Sequence, residues 1–380
     1  MRKRLAVIST HPIQYHAPVF QLLAKELTLN VFYTGGEQLN KYDSGFRKHI
    51  EWDIPLLSGY DYTFLENTAK DKGSHHFNGI VNPDAIQRIR AFQPDAILIY
   101  GWAYQSHLNI MRYFKGKIPV CFRGDSNLLD QQQGLKNIIK RIALKWVFSH
   151  IDMAFYVGSA NKAYFERYGL KESQLVFAPH AIDNNRFGEN RTAEVDELKK
   201  TLKIKPSDLV LLFAGKLEPK KNPELLLDAF LSLGKENIHL LMVGNGVLEE
   251  RLKIKSQGKR NIHFLPFQNQ TQMPPVYQAC DLFCLPSKGP GETWGLAVNE
   301  AMAAGKAVLV SDKVGCAEDL AQKPYGTIFK SGNLEDLIQK LIALTDNKDT
   351  LKKMGEHAHE YIQKWSFEEQ VNRISIYVNR

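Results

Sequence analysis

Along the chain, short runs that are apolar at every position alternate with longer stretches whose apolar residues recur every three to four positions. Unbroken apolar runs are the mark of strands covered on both faces, and the longer period is that of amphipathic helices. In the first half the runs predict strands at Leu5–Ser9, Leu29–Tyr33, Ala96–Tyr100, Val120–Arg123, Met153–Val157 and Leu175–Phe177. In the second half they predict Leu209–Ala214, His239–Val243, Ile262–Phe264, Leu282–Leu285, Ala307–Ser311 and Gly326–Phe329. Helical stretches follow most of these, so each half reads as a parallel α/β sheet.

The polar stretch from Asn185 to Asp208, with its Pro206-Ser207-Asp208 start signal, is read as the boundary between the halves. The expected domains are 1–190, 205–362 and a terminal segment 363–380. A last helix is expected over Phe367–Val378, with Ser366 and Glu369 spaced as a capping box. The polar region Thr34–Asn82 contains Gly35-Gly36, Asp43-Ser44-Gly45 and His75-His76-Phe77-Asn78-Gly79. A connection of that length is either functional or an ordinary surface excursion.

A chain of 380 residues exceeds one ordinary core, which agrees with two domains. The start Met1-Arg2-Lys3-Arg4 and the short run Leu5–Ile8 suit a first buried strand better than an export signal. No stretch has the apolar length of a membrane span, so a cytoplasmic protein is expected. Cys121, Cys280, Cys284 and Cys316 have no metal-ligand spacing and read as buried free thiols. A net charge of +8 favours anionic partners: nucleic acid, acidic lipid or phosphate-bearing substrates. No nucleic-acid module is present. Segment Gly134–His150 mixes Ile138, Ile139, Ile142, Leu144, Trp146, Val147 and Phe148 with Lys136, Lys140, Arg141 and Lys145. It is either a core-facing helix or a basic amphipathic helix on an acidic bilayer.

Chemistry shows itself where strands run into helices. After Leu285-Pro286-Ser287 comes a loop, Lys288-Gly289-Pro290-Gly291, and then a helix opening near Trp294 or Gly295. Such openings bind anions and nucleotides. Glu292 lies in the loop and Glu300 about two turns along the helix, which suits hydroxyls at two ends of an extended ligand. The alternative is an acidic first turn that stabilises a helix dipole. After Leu209–Ala214, Gly215 allows close backbone approach, and Lys216, Lys220 and Lys221 can clamp a diphosphate or form a solvated basic turn.

Taken together these segments resemble the family 4 glycosyltransferases, over nearly the whole chain. Glu292 and Glu300 match that family's E-x7-E motif, and Lys221 its diphosphate-binding Lys. Leu241–Gly246 is similar to its second-strand glycine turn, and Leu265-Pro266-Phe267 and Ala279–Ser287 fall in register. Ala178-Pro179-His180-Ala181-Ile182-Asp183 with Phe187 resembles its P-N-G-v-D…F segment. Lys216 stands where the family has Arg, Asn222 where it has Gly, and His11-Pro12 where many relatives have Gly-Gly. Arg123-Gly124-Asp125-Ser126 falls where many relatives carry an acceptor-side His.

The resemblance implies a GT-B fold: two Rossmann-like domains with parallel sheets facing a deep interdomain cleft, and a C-terminal helix crossing back to the N-terminal domain. It implies retaining transfer from a UDP-sugar or GDP-sugar to a glycan or lipid-linked glycan in cell-surface polysaccharide biosynthesis. Catalysis would rest on Lys216, Lys221 and Glu292, without a metal or tightly bound cofactor. Donor contacts would come from Gly215, Lys216, Lys221, Gly244, Asn245, Phe267, Glu292, Trp294, Gly295, Leu296 and Glu300. His11, Gln14, His16, Arg123 and Asp125 would serve the acceptor. Peripheral contact with an anionic inner membrane face is part of the same expectation. The rival readings are a sugar-nucleotide epimerase of the same fold and a non-catalytic nucleotide-sugar-binding protein.

Overall fold

Twelve apolar runs form strands within a residue or two of their predicted limits; most are buried along nearly their whole length, while Leu175–Phe177, Ile262–Leu265 and Gly326–Phe329 are partly buried. The computed structural model describes residues 2–37, 42–43, 46, 48–131 and 134–379. Ser44 and Gly45 of the expected Asp43-Ser44-Gly45 turn, and the side chain of Lys136, lie outside what is described.

The strands are β1 Arg4–Ser9, β2 Thr28–Tyr33, β3 Tyr42–Asp43, β4 Lys48–His49, β5 Asp61–Phe64, β6 Ala96–Tyr100, β7 Val120–Arg123, β8 Met153–Tyr156 and β9 Leu175–Phe177. They continue as β10 Leu209–Ala214, β11 Ile238–Val243, β12 Ile262–Leu265, β13 Leu282–Leu285, β14 Ala307–Ser311 and β15 Gly326–Phe329. A seven-stranded sheet runs β5-β2-β1-β6-β7-β8-β9 and a six-stranded sheet runs β12-β11-β10-β13-β14-β15. Every pairing in both is parallel. β5 escaped the sequence reading because Asp-Tyr-Thr-Phe is short and half polar, as an edge strand covered on one side tends to be.

In each sheet the chain winds outward from a central strand and then returns to that strand's other side. The reversal falls between β1 and β6 in one sheet and between β10 and β13 in the other. At such a point the loops leaving neighbouring strands diverge to opposite faces, which opens a crevice at the carboxyl edge.

The chain divides into two units. The first holds Met1–Lys41, Ile54–His180 and Phe367–Arg380; the second holds Tyr42–Asp53 and Ala181–Ser366. The crossing after His180 precedes the segment 185–208 read from sequence as the boundary. That polar stretch instead folds into the second unit as helices Asn184–Gly188 and Thr192–Thr201. The first unit's core gathers Ile8, Ile97, Ile99, Phe122, Phe148 and Phe165. The second's gathers Leu211, Phe213, Leu240, Met242, Leu282 and Leu309. The four cysteines are buried free thiols, as expected.

Helix Phe367–Val378 forms over the predicted span and belongs to the first unit, where Val371, Ile374 and Val378 are buried. Among the described residues no helix is long and apolar enough to cross a membrane. Ile374 is fully buried. Ile374→Ala is therefore expected to destabilise the first unit by about 2–5 kcal/mol, read as a lowered urea midpoint. An unchanged midpoint would mean that this helix contributes nothing to that core.

Candidate active site

The second unit brings most of the nominated residues to one edge. Gly215 follows β10, Gly244 and Asn245 follow β11, Phe267 follows β12, and Ser287 to Gly295 follow β13. The switch point therefore lies between the lysine loop and the Glu292 loop. The two loops are tied directly, since the Lys288 N–H donates to the Lys220 carbonyl at 2.9 Å.

The glycines here are dictated by space. A Cβ on Gly244 would lie 2.0 Å from the Gly215 carbonyl oxygen, and one on Gly246 would lie 2.4 Å from that of Leu217. Gly244 also has φ 132°, a region that side chains avoid. The Asn245 amide then locks the neighbouring turn: its Oδ1 accepts from the Phe267 N–H at 2.9 Å and its Nδ2 donates to Glu249 at 3.0 Å.

Glu292 is buried, and its Oε2 lies 2.5 Å from Lys221 Nζ. The same oxygen accepts from the Ser287 hydroxyl at 2.7 Å. The reading of Glu292 as a helix-dipole residue gives way to this pairing: the helix is Leu296–Ala303, no acidic residue lies in its first turn, and Gly295 precedes it with φ 99° and no side-chain cap. Glu300 is also buried, and its Oε2 accepts from the Tyr277 hydroxyl at 2.7 Å. Trp294 donates from its indole to Asn299 Oδ1 at 2.9 Å and packs against Trp365 with ring centroids 5.2 Å apart. Burial, with the Glu292 charge as the next cause, pushes the Cys316 thiol well above its ordinary range. The edge thus presents two lysines, an uncapped helix start and two buried, hydrogen-bonded carboxylates. That set can bind an anion and accept hydrogen bonds from hydroxyls.

The sequence reading missed Ser287, Tyr277 and the aromatic neighbours of Lys216. Residues 42–53 leave the first unit's sequence and fold with the second unit. There Phe46 packs on Phe267 at 4.8 Å, Trp52 lies 6.1 Å from Phe267, and Lys216 Nζ stands 5.2 Å from the Phe46 ring centre. Asp53 accepts from the Thr271 N–H at 3.1 Å, and Asn269 Nδ2 donates to the Glu51 carbonyl at 2.7 Å. Tyr277 reads as core in an apolar helix, and no local pattern marks the partners of segment 42–53.

The first unit gathers the other group around its own switch point. His11 and His16 follow β1, and Tyr100 ends β6 with its ring 4.5 Å from that of His16. Arg123 ends β7 and is buried; its guanidinium donates to the carbonyls of Ala178 and Pro179 at 2.8 and 2.9 Å. Asp125 lies close enough to support the Arg123 charge. Gln14 lies in the turn between β1 and helix Ala17–Glu26, where no contact of its side chain joins it to this group. His180, standing where the family segment has Asn, joins the group and was not foreseen. Burial lowers His11 to about 4; burial and then Arg123 lower His180 to about 3. Burial, then His180, Arg123 and His11, hold His16 well below the ordinary range. These histidines are neutral at physiological pH.

Two parallel sheets, each reversing its winding at a central strand, define the GT-B class. Residues 194–361 match the family described as Glycosyl transferases group 1. It is similar to a D-inositol 3-phosphate glycosyltransferase of Nocardia farcinica, 27% identical over 50% of this chain and 44% of that enzyme. It is also 27% identical to the N,N'-diacetylbacillosaminyl-diphospho-undecaprenol alpha-1,3-N-acetylgalactosaminyltransferase of Campylobacter jejuni, over 60% of this chain and 61% of that enzyme. The chain thus spans about half the length of the curated inositol-phosphate enzyme it matches. Among solved structures, an Anabaena protein in complex with UDP and glucose superimposes with a TM-score of 0.71 at 15% identity, covering 99% of both chains.

The histidines carry a pH prediction. His11, His180 and the core residue His107, lowered to about 4 by burial, stay neutral in the folded chain below pH 6.5, where the unfolded chain takes up protons. Stability is therefore full above the unfolded value and falls as pH drops from about 6.5 towards 4. Urea midpoints followed by first-unit tryptophan fluorescence should decline over that window. A flat profile would contradict it.

Proposed function

We propose that the chain transfers a sugar, with retention of anomeric configuration, from a UDP-sugar or GDP-sugar to a glycan or lipid-linked glycan acceptor in cell-surface polysaccharide biosynthesis. The observation that carries this reading is the convergence of Lys221, Glu292, Ser287 and the helix start after Gly295 on the β10–β13 switch point. The Anabaena protein of the same fold is named with UDP and glucose, which makes UDP-glucose the first donor to try. The Campylobacter relative is named for a diphospho-undecaprenol acceptor, which supports a lipid-linked one.

In this mechanism negative charge develops on the departing diphosphate. Lys216, Lys221 and the amide groups at the start of helix Leu296–Ala303 neutralise it, and this fixed positive field is the main catalytic contribution. Lys221 turns from Glu292 to the phosphates as the donor enters. Glu292, still held by Ser287, then accepts from hydroxyls of the transferred sugar. Glu300, oriented by the Tyr277 hydroxyl, accepts from the ribose hydroxyls. The acceptor attacks on the face that the diphosphate leaves, and a leaving phosphate oxygen takes its proton. Two lysines supply the charge that a metal ion supplies in other transferases, so transfer is metal-independent. His11, His16, Arg123, Asp125 and His180 serve the acceptor side, neutral imidazoles being able to accept as well as donate.

The protein works as a cytoplasmic enzyme in peripheral contact with an anionic membrane face, through helix Leu135–Phe148. Leu144, Val147 and Phe148 fill the core, while Ile138, Ile139, Ile142 and Trp146 are 57%, 69%, 66% and 48% exposed. At 100° per residue these four form one stripe about 100° wide. The helix has Lys140, Arg141 and Lys145 on its surface and no acidic residue. Arg112 stands over the Trp146 ring at 5.5 Å. An apolar stripe flanked by cations and free of carboxylates complements anionic lipid.

Two predictions follow from these roles. Glu300→Ala and Lys221→Ala should each lower transfer from UDP-glucose at least about 100-fold with the fold retained, and EDTA should leave the wild-type rate unchanged. Full transfer in both variants would remove those roles; donor conversion without acceptor would mean an epimerase, and binding without turnover a sensor. Separately, Ile139→Asp with Ile142→Asp should abolish co-sedimentation with vesicles containing phosphatidylglycerol. Equal sedimentation of wild type and variant, or binding equally to neutral vesicles, would reject the anionic membrane face.

A further inference from the structure

The loop between β5 and the helix Ala85–Phe92 carries three side chains to which the transferase reading gives no work. Asp71, His75 and His76 offer ligand atoms that all lie within 4.8 Å of one another. Asp71 Oδ2 is 3.2 Å from His76 Nε2 and 3.8 Å from His75 Nε2. In a tetrahedral zinc site, with bonds of about 2.0–2.2 Å, ligand atoms sit about 3.3–3.6 Å apart. The carboxylate is therefore already at nearly the required separation from both rings.

The loop that carries them is braced from beneath. Buried Asn67 donates to the Gly79 carbonyl at 2.9 Å, and its Oδ1 accepts from the N–H groups of Ala69 and Val81, both at 3.0 Å. The Gly73 N–H donates to the Gly79 carbonyl at 3.1 Å, and the backbones press so closely that a Cβ on Gly79 would lie 2.1 Å from the Gly73 oxygen. The Tyr104 hydroxyl donates to the Ser74 carbonyl at 3.1 Å, next to the two histidines.

The rings are placed as well as the backbone. The Nδ1–Cε1 edge of the His75 imidazole abuts Gly73, where a Cβ would meet Cε1 at 2.4 Å and Nδ1 at 2.5 Å. His75 and His76 meet in a T-shaped arrangement, ring centroids 4.7 Å apart. His76 Nε2 lies 3.1 Å from the Asp71 carbonyl oxygen, which can only accept, so the proton sits on that nitrogen until a metal takes its place.

We propose that Asp71, His75 and His76 form a binding site for a borderline divalent cation of the zinc, cobalt or nickel kind. Two imidazoles and one carboxylate are the donor set such ions prefer over magnesium or calcium. With three protein ligands the fourth position stays open to water or to an oxygen of a bound molecule. The ion closes the loop tip by joining Asp71 to the two adjacent histidines. This site shares no residue with the diphosphate machinery and is independent of the transferase reading.

The test is calorimetric titration of zinc sulfate into the full chain, freed of any tag and treated with EDTA, beside the double variant His75→Ala with His76→Ala and the single variant Asp71→Asn. Wild type should bind one more equivalent than the double variant, and Asp71→Asn should weaken that equivalent at least about tenfold. Cobalt should give wild type, and not the double variant, a visible absorption band of a low-coordinate site. Far-UV circular dichroism checks that the variants are folded. Identical zinc isotherms for wild type and double variant overturn the proposal. EDTA-resistant transfer leaves it standing, because binding and transfer are read separately.

Discussion

The approach of two backbones at the carboxyl edge of the second sheet is the constraint on which the candidate active site depends. With the Gly244 Cα set against the Gly215 carbonyl, neither strand end can carry a side chain into that space. The loop after β10 is bonded to the turn after β11 through Leu217 and to the loop after β13 through Lys220, and there Lys221 meets Glu292. A buried carboxylate needs partners, and here it has an ammonium and a hydroxyl. In the mechanism proposed above, the diphosphate competes for the ammonium. The Ser287 hydroxyl keeps one hydrogen bond to the carboxylate, and the charge of Glu292 is then left for hydrogen-bond donors of the ligand to meet.

The two units solve the same topological problem with different chemistry. Both place their polar groups where winding reverses, between β1 and β6 or between β10 and β13. The second unit uses lysine and glutamate side chains, with Lys221 against Glu292. The first uses imidazoles neutralised by burial around a single guanidinium. Groups of that kind orient a hydroxyl without fixing it as strongly as a charge does.

Most of the frame was legible because strands buried on both faces have one-letter-code consequences: nearly every position is apolar. That is why Ala96–Tyr100, Val120–Arg123, Leu282–Leu285 and Ala307–Ser311 were read to the residue. β5 was not, since an edge strand is under no such demand. The charged members of the site were legible through spacing, as with Glu292, Glu300 and Lys221. Their uncharged partners were not: Ser287 and Tyr277 matter through one hydroxyl each, and nothing local separates them from ordinary residues. His180 and Phe46 were hidden for a different reason, since each acquires its neighbours from strands or loops far away in sequence. The helix Leu135–Phe148 was read as either core or surface, and it is both, one stripe on each side.

The interleaving of the two units has a consequence for synthesis on the ribosome. Residues 42–53 emerge early but belong with a body whose sheet begins at Leu209, and the first unit receives its closing helix from Phe367–Val378. Domains tend to fold as units as the nascent chain lengthens. Here the early aromatic segment is synthesised before the sheet it packs against, and the amino-terminal body before its last helix. Neither body is therefore built from one continuous stretch of chain, and each is completed by residues made well before or well after the rest of it.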